Sequence, residues 1–140
     1  MNLVQIGEYE VNEGLSYHKE HFWARVEDDV VRFGAPDYGQ KALREVVFVE
    51  LPEAGDEVQQ NEAYGTLESV KAVVDIIAPL SGVVKEVNEE LMDNPALINE
   101  DPYGEGWLIT ITASDLEGEL GNIMDFDAAV KWYTTVIEEG

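Results

Sequence analysis

The chain has 140 residues, of which 45% are apolar, and carries thirty acids against eight bases, a net charge of −22 and no cysteine. That length suits one domain with a real core, and the apolar content argues against disorder. The charge disfavours nucleic acid and anionic lipid as partners, the lack of cysteine removes disulfide and thiolate chemistry, and no apolar run approaches membrane-spanning length. Such acidity favours encounter with electropositive proteins, or reflects adaptation to high salt. Met1-Asn2-Leu3-Val4-Gln5 lacks a basic segment followed by an apolar one, so no secretory signal is expected and the cytoplasm is the default location.

In chain order, Val4, Ile6 and Val11 suit a short strand or an ordered tail. Phe22 to Val26 and Val30 to Phe33 read as two strands around Glu27-Asp28-Asp29. From Gly34 to Leu43 the pattern breaks into one or two helical turns, with Pro36 at the first helical position. Val46 to Leu51 is a strand ended by Pro52 and Gly55, and Ala54 to Val58 turns into another short one. Ala63 to Glu68 and Val73 to Ala78 are β-prone and flank Lys71. Ser81-Gly82 makes the next turn, into a strand over Val83 to Val87. Glu89 to Met92 reads as a helical turn before Asn94-Pro95, and Asp101-Pro102-Tyr103-Gly104 as a type I turn. Trp107 to Thr112 is the last strand. Phe126, Ala129, Val130, Tyr133, Val136 and Ile137 then recur at helical spacing, so an amphipathic helix is expected over about 125–138 with Asp125 as its cap. Short strands at this spacing predict a mainly β fold, a small sandwich or barrel with short helices and a C-terminal helix. The segments Leu51 to Gly65 and Pro79 to Leu91 each pair a Pro/Gly turn with a short strand, a weak quasi-repeat about Lys71.

Lys71 is the main chemical candidate. It stands on a short polar point, Glu68-Ser69-Val70-Lys71-Ala72, between two apolar stretches. A lysine there adds nothing to a core, whereas a protruding amine on a rigid turn is well placed to be acylated. For an arbitrary turn lysine, plain solvation would be the better explanation, and it is the neighbours that alter this. His18 and His21 could face one side of a helical turn, but without a third ligand surface or packing roles are the better reading. No pair of acids stands out as a general acid and base, and there is no phosphate loop or nucleophile elbow. Trp23 and Trp107 read as packing residues.

The residues around Lys71 belong to an ordered series. Tyr17-His18-Lys19-Glu20-His21-Phe22-Trp23, Asp37-Tyr38 with Gln40, Val47-Phe48-Val49-Glu50-Leu51-Pro52, Gly55-Asp56-Glu57-Val58, Glu68-Ser69-Val70-Lys71-Ala72, Ala78-Pro79 with Ser81-Gly82, and Asn94-Pro95 through Trp107-Leu108 follow one another. In this the chain resembles the H proteins of the glycine cleavage system, which carry a lipoyl group, from about Tyr17 to Ala113. Phe22 stands where that family usually has Glu, Ala35-Pro36 replaces a more usual Ile-Thr pair, and Gly39 replaces an Ala. Biotin carriers, of similar architecture, usually present Met on both sides of the lysine, so Val70 and Ala72 favour lipoate.

The resemblance implies a barrel-sandwich hybrid of the lipoyl/biotinyl type, one domain over 1–140 with its core at about 17–113. It implies lipoic acid joined by an amide to Lys71, with Glu68, Ser69, Val70 and Ala72 forming the lipoylation motif. The implied role is a monomeric, non-catalytic, cytoplasmic carrier. It takes an aminomethyl group from a pyridoxal-phosphate glycine decarboxylase to a tetrahydrofolate-dependent aminomethyltransferase, and a dihydrolipoyl dehydrogenase reoxidises it. A lipoate ligase or lipoyl transferase would load it. Two alternatives are an H-like carrier that relays lipoate to other enzymes or serves sulfur metabolism, and an unmodified protein-interaction module.

Overall fold

The computed structural model of the chain describes residues 3–19 and 22–139. Two sheets and a separate hairpin account for the strands. The hairpin joins β1 (Leu3–Ile6) to β2 (Tyr9–Asn12), so Val4, Ile6 and Val11 lie in strands. A six-stranded antiparallel sheet runs in the order β3 (Ser16–His18), β4 (Phe22–Glu27), β5 (Val30–Gly34), β11 (Ile109–Ala113), β10 (Gly82–Val87), β7 (Glu57–Val58). A three-stranded sheet runs β6 (Val46–Glu50), β8 (Ala63–Ser69), β9 (Val73–Ile77). The described residues are mainly β, as expected, and the helices are short until the last: α1 (Asp37–Leu43), α2 (Glu90–Asp93), α3 (Leu97–Glu100), α4 (Leu116–Leu120) and α5 (Phe126–Glu139). Among the described residues no helix is long and apolar enough to cross a membrane.

Several local expectations need correcting. Pro36 caps α1 from an extended conformation and does not enter it, because the preceding strand hands the chain over at that residue. Trp107 and Leu108 precede β11, although the Leu108 amide already donates to the Phe33 carbonyl at 2.8 Å. Strand β3 and helices α3 and α4 carry too few periodic residues to be read from sequence. Asp125 does cap α5: its side chain accepts from the Ala128 amide at 2.9 Å. The two segments of the quasi-repeat meet, since β7 pairs with β10 through Gly82–Val58 and Val83–Glu57.

The sheets meet through two apolar clusters. One gathers Phe22, Val46, Val49, Leu67, Ile76 and Leu108; the other gathers Val31, Phe33, Leu80, Val84, Ile109 and Ile111. A third, aromatic cluster lies where α5 packs on β1, β2 and β3. There Tyr17, Trp23 and Tyr133 are buried, and the Tyr17 hydroxyl donates to the Asn12 carbonyl while accepting from its amide, both at 2.8 Å. Gly34 fits beneath Trp23, for a Cβ there would come within 2.3 Å of the indole ring. Burial pushes the Tyr103 phenol up to about 12, and its hydroxyl donates to the Glu10 carbonyl at 2.7 Å.

Three strands each carry one extra residue relative to the neighbour, a β-bulge. Val47 is the extra residue of β6 against β8, Tyr64 of β8 against β9, and Lys85 of β10 against β11. The bulge in β6 leaves Val46 and Val49 buried while both Val47 and Phe48 face outward.

Candidate functional site

Lys71 stands at the tip of the β8–β9 hairpin, exposed, with no ion pair among the described residues. Ser69 makes the turn rigid. Its amide donates to the Ala72 carbonyl at 2.8 Å. Its nearly buried hydroxyl accepts from the Lys71 amide at 3.1 Å and from the Ala72 amide at 3.0 Å. One oxygen thus does what a second strand carbonyl would do, and no residue of the turn needs a positive φ. The Val70 amide is held from the other side by the Glu45 carbonyl at 3.0 Å. Behind the tip, β8 lies so close to β6 that a Cβ on Gly65 would come within 2.3 Å of the Glu50 carbonyl oxygen.

The other motif residues divide. Val70 is 65% exposed and Ala72 is exposed, so both are open to an approaching enzyme. Glu68 lies on the outer face, in register with Phe48 on one side and Val73 on the other. Val73 is 63% exposed, and with Val47 and Phe48 it surrounds the turn with apolar surface that no core requires.

Arg44, the C-cap of α1, has φ 70° and ψ −153°. That backbone region is essentially reserved for glycine and costs of order 1–3 kcal/mol for other residues. The Asn99 side-chain Nδ2 donates to the Arg44 carbonyl at 2.7 Å, and the following residue, Glu45, is the one that holds Val70.

Beside the tip a cleft of about 570 Å³ opens between β9 and α1, reaching from Lys71 and Ala72 to Leu43, Leu67, Val74 and Ile77. Its lining is apolar apart from Lys71 and Asp75. The volume falls within the ~300–1,000 Å³ of small-molecule sites. An acyl chain joined to the lysine would find an apolar surface at its own root, so the residues present fit a lipoyl group. Three of the four departures from the family pattern, Phe22, Ala35 and Gly39, line the cleft, and Pro36 does not. Sequence reasoning did not place the cleft. No local pattern signalled it: in the run Val73-Val74-Asp75-Ile76-Ile77, Val73 and Asp75 are exposed and Ile76 is buried, the ordinary alternation of a strand with one wet face.

His18 is nearly buried and its Nε2 lies 2.6 Å from Asn61 Oδ1, while Glu20 and His21 lie outside the described residues. Among the described residues there is no group of three or more His, Asp or Glu that could hold a metal ion. Trp23 is a packing residue: its indole N–H donates to the Ala35 and Pro102 carbonyls at 3.2 and 3.1 Å. Trp107 is partly exposed and lies under the Arg32 guanidinium, 4.4 Å from its ring.

The model of one family, "Glycine cleavage H-protein", matches residues 15–136. A Pyrococcus abyssi protein named "Probable glycine cleavage system H protein" is 53% identical over 124 residues, 88% of this chain and 92% of its own length. The glycine cleavage system H protein of Geobacillus thermodenitrificans is 47% identical over 126 residues, covering 90% of this chain and 95% of that one. Among solved structures, a glycine cleavage system H protein from Mycobacterium marinum superposes with a TM-score of 0.72 at 40% identity, over 74% of this chain and 87% of its own. The fold of the chain is therefore the lipoyl-type β-sandwich with an added C-terminal helix.

Proposed function

The chain belongs to the glycine cleavage H-protein family, and from that premise we propose that it is a cytoplasmic, non-catalytic shuttle bearing a lipoyl group on Lys71. It carries the aminomethyl group of glycine from the decarboxylase to the tetrahydrofolate-dependent aminomethyltransferase, and the dihydrolipoyl dehydrogenase returns it to its starting state. The observation that carries this reading is the exposed Lys71 amine on a turn braced by Ser69, with an apolar cleft at its foot.

The bound group supplies the dithiolane that a chain without cysteine lacks. The protein's residues supply the rest. Ser69 and the Glu45 carbonyl fix the direction in which the amine is offered, so that a loading enzyme meets one geometry. Tethering then raises the effective concentration of the load at each partner. The cleft can exclude water from a parked arm, and Asp75 is the carboxylate on its wall placed to face a cationic load.

Intact mass of native protein beside a Lys71→Ala variant tests the attachment. Native protein should gain one lipoyl group, and the variant none. An unmodified Lys71 in cells with active lipoate ligase would remove the proposal.

A second reading is a lipoyl carrier serving other enzymes. It is favoured by Phe22, Ala35 and Gly39, which alter the cleft wall and leave Asp75 as its carboxylate. Reconstitution with glycine, tetrahydrofolate and the partner enzymes decides: glycine turnover supports the first reading, and none despite full lipoylation supports the second.

A further inference from the structure

A second concavity, of about 680 Å³, lies on the side of β6 away from β8, between that strand and β10. Both of its walls are open strand edges. β6 is the edge of its sheet, and β7 reaches only Gly82 and Val83 of β10, so Glu86 and Val87 pair with β11 on one side and, among the described residues, with no strand on the other. Each wall also carries a bulge, at Val47 and at Lys85, the kind of irregularity that ends pairing and re-aims side chains.

The floor is apolar and exposed. Phe48 and Met92 are each 52% exposed, and Leu51 and Val87 are half-buried beside them. The rim is acidic, with Glu50, Glu53, Glu86 and Glu89 all exposed against a single cation, Lys85. Large apolar side chains left in water inside a ring of carboxylates match a partner surface of opposite charge with an apolar centre. The groove is continuous with the site of the arm, because Phe48 is in register with Glu68, three positions before Lys71.

Resting on the functional reading above, we infer that this groove docks a Lys/Arg-bearing segment with apolar side chains, contributed by an enzyme that works on the Lys71 arm. Docking here leaves the hairpin tip free, so the arm can enter that enzyme's active site while the body of the carrier is held. The acidic rim governs encounter and the Phe48–Met92 floor governs residence.

The test uses fully lipoylated protein, checked by intact mass, as variable substrate for the decarboxylase, the aminomethyltransferase and the dihydrolipoyl dehydrogenase in turn. A double variant, Glu86→Lys with Glu89→Lys, should raise KM at least about fivefold for one or more of them with kcat unchanged, and should flatten its salt dependence. Lys85→Glu should lower the same KM, a reversal of sign that a merely structural effect would not produce. Met92→Ser should raise it without changing the salt slope. Melting temperatures within a few degrees of wild type show that each variant is folded. Unchanged KM values for all three enzymes, or the same shift from both charge changes, overturn the inference and leave the functional reading standing. So does loss of a wild-type dimer in the variants, which would mark the groove as a contact between copies of this chain. Lipoylated wild-type protein that none of the enzymes turns over overturns the functional reading, and the inference with it.

Discussion

Two regions of this molecule treat their large side chains in opposite ways. Under α5, Tyr17, Trp23 and Tyr133 are buried, and the polar atoms of Tyr17 and Trp23 are spent on backbone groups of Asn12, Ala35 and Pro102. Around the Lys71 hairpin, Val47, Phe48, Val70 and Val73 stand about half exposed or more. Hydrophobic burial in the first region is the ordinary source of stability. In the second it is withheld, and local order comes instead from one hydroxyl and two backbone carbonyls. The lesson is a separation of duties: the part that meets other proteins is kept stiff by hydrogen bonds and open to solvent, while cohesion is supplied elsewhere.

Trp23→Ala should show the contrast most strongly. It empties a fully buried site and should cost about 3–5 kcal/mol in urea unfolding. Under conditions where the variant is still folded, its lipoylation rate should match wild type. An equal loss of lipoylation in folded protein would mean that the two regions are coupled.

Ser69→Ala should do the reverse. It leaves two turn amides without their acceptor and should cost about 1–2 kcal/mol, while slowing lipoylation of Lys71 several-fold. Lipoylation at the wild-type rate would show that the brace has no part in presenting the amine.

How far this contrast could be read from the sequence differs by region. The Lys71 turn was legible because its strands are β-prone on both sides and its motif is short and continuous. The α5 face was legible from a period of three and four. The cleft was not, because it joins Phe22, Gly39 and Val74 from three separate elements, and no local pattern records which apolar residues will face a gap between elements. Strand β3 was hidden for a related reason: its three residues are ordered by pairing Tyr17 with Trp23, not by any alternation of their own. Nor does the sequence show that Arg44 occupies a glycine-like conformation; that follows from where α1 must stop for Glu45 to reach Val70.

Arg44→Gly offers a smaller test. Relief of the strained backbone is worth about 1–3 kcal/mol, against about 0.5–1 kcal/mol of extra chain entropy in the unfolded state. The variant should therefore be more stable by about 1 kcal/mol, a rise of about 3 °C in melting temperature. A lower melting temperature would show that the arginine side chain repays its conformation through contacts.

The smallest effect belongs to Glu27 on the outer face of the larger sheet. The hydrogen bond from Arg32 above all, aided by Arg25, holds its carboxyl below the usual glutamate range. A lowered value in the folded state adds stability above the ordinary glutamate range, which disappears as pH falls through the lowered one. Glu27→Gln should thus be less stable than wild type by less than about 1 kcal/mol at neutral pH, with the gap closing in acid. A gap that persists unchanged to low pH, in urea titrations at several pH values, would assign the effect to packing.

The bulge at Val47 has a last consequence. A regular strand from Val46 would alternate inward and outward, and Phe48 would turn toward the interior. With one residue more than its neighbour, β6 keeps Val46 and Val49 inside and sets two adjacent side chains outside. Excising Val47 alone would restore plain alternation without moving any buried side chain to the wrong face. Evolution can therefore widen or narrow this shelf by a single codon, reshaping what the carrier shows to its clients while the interior stays as it is.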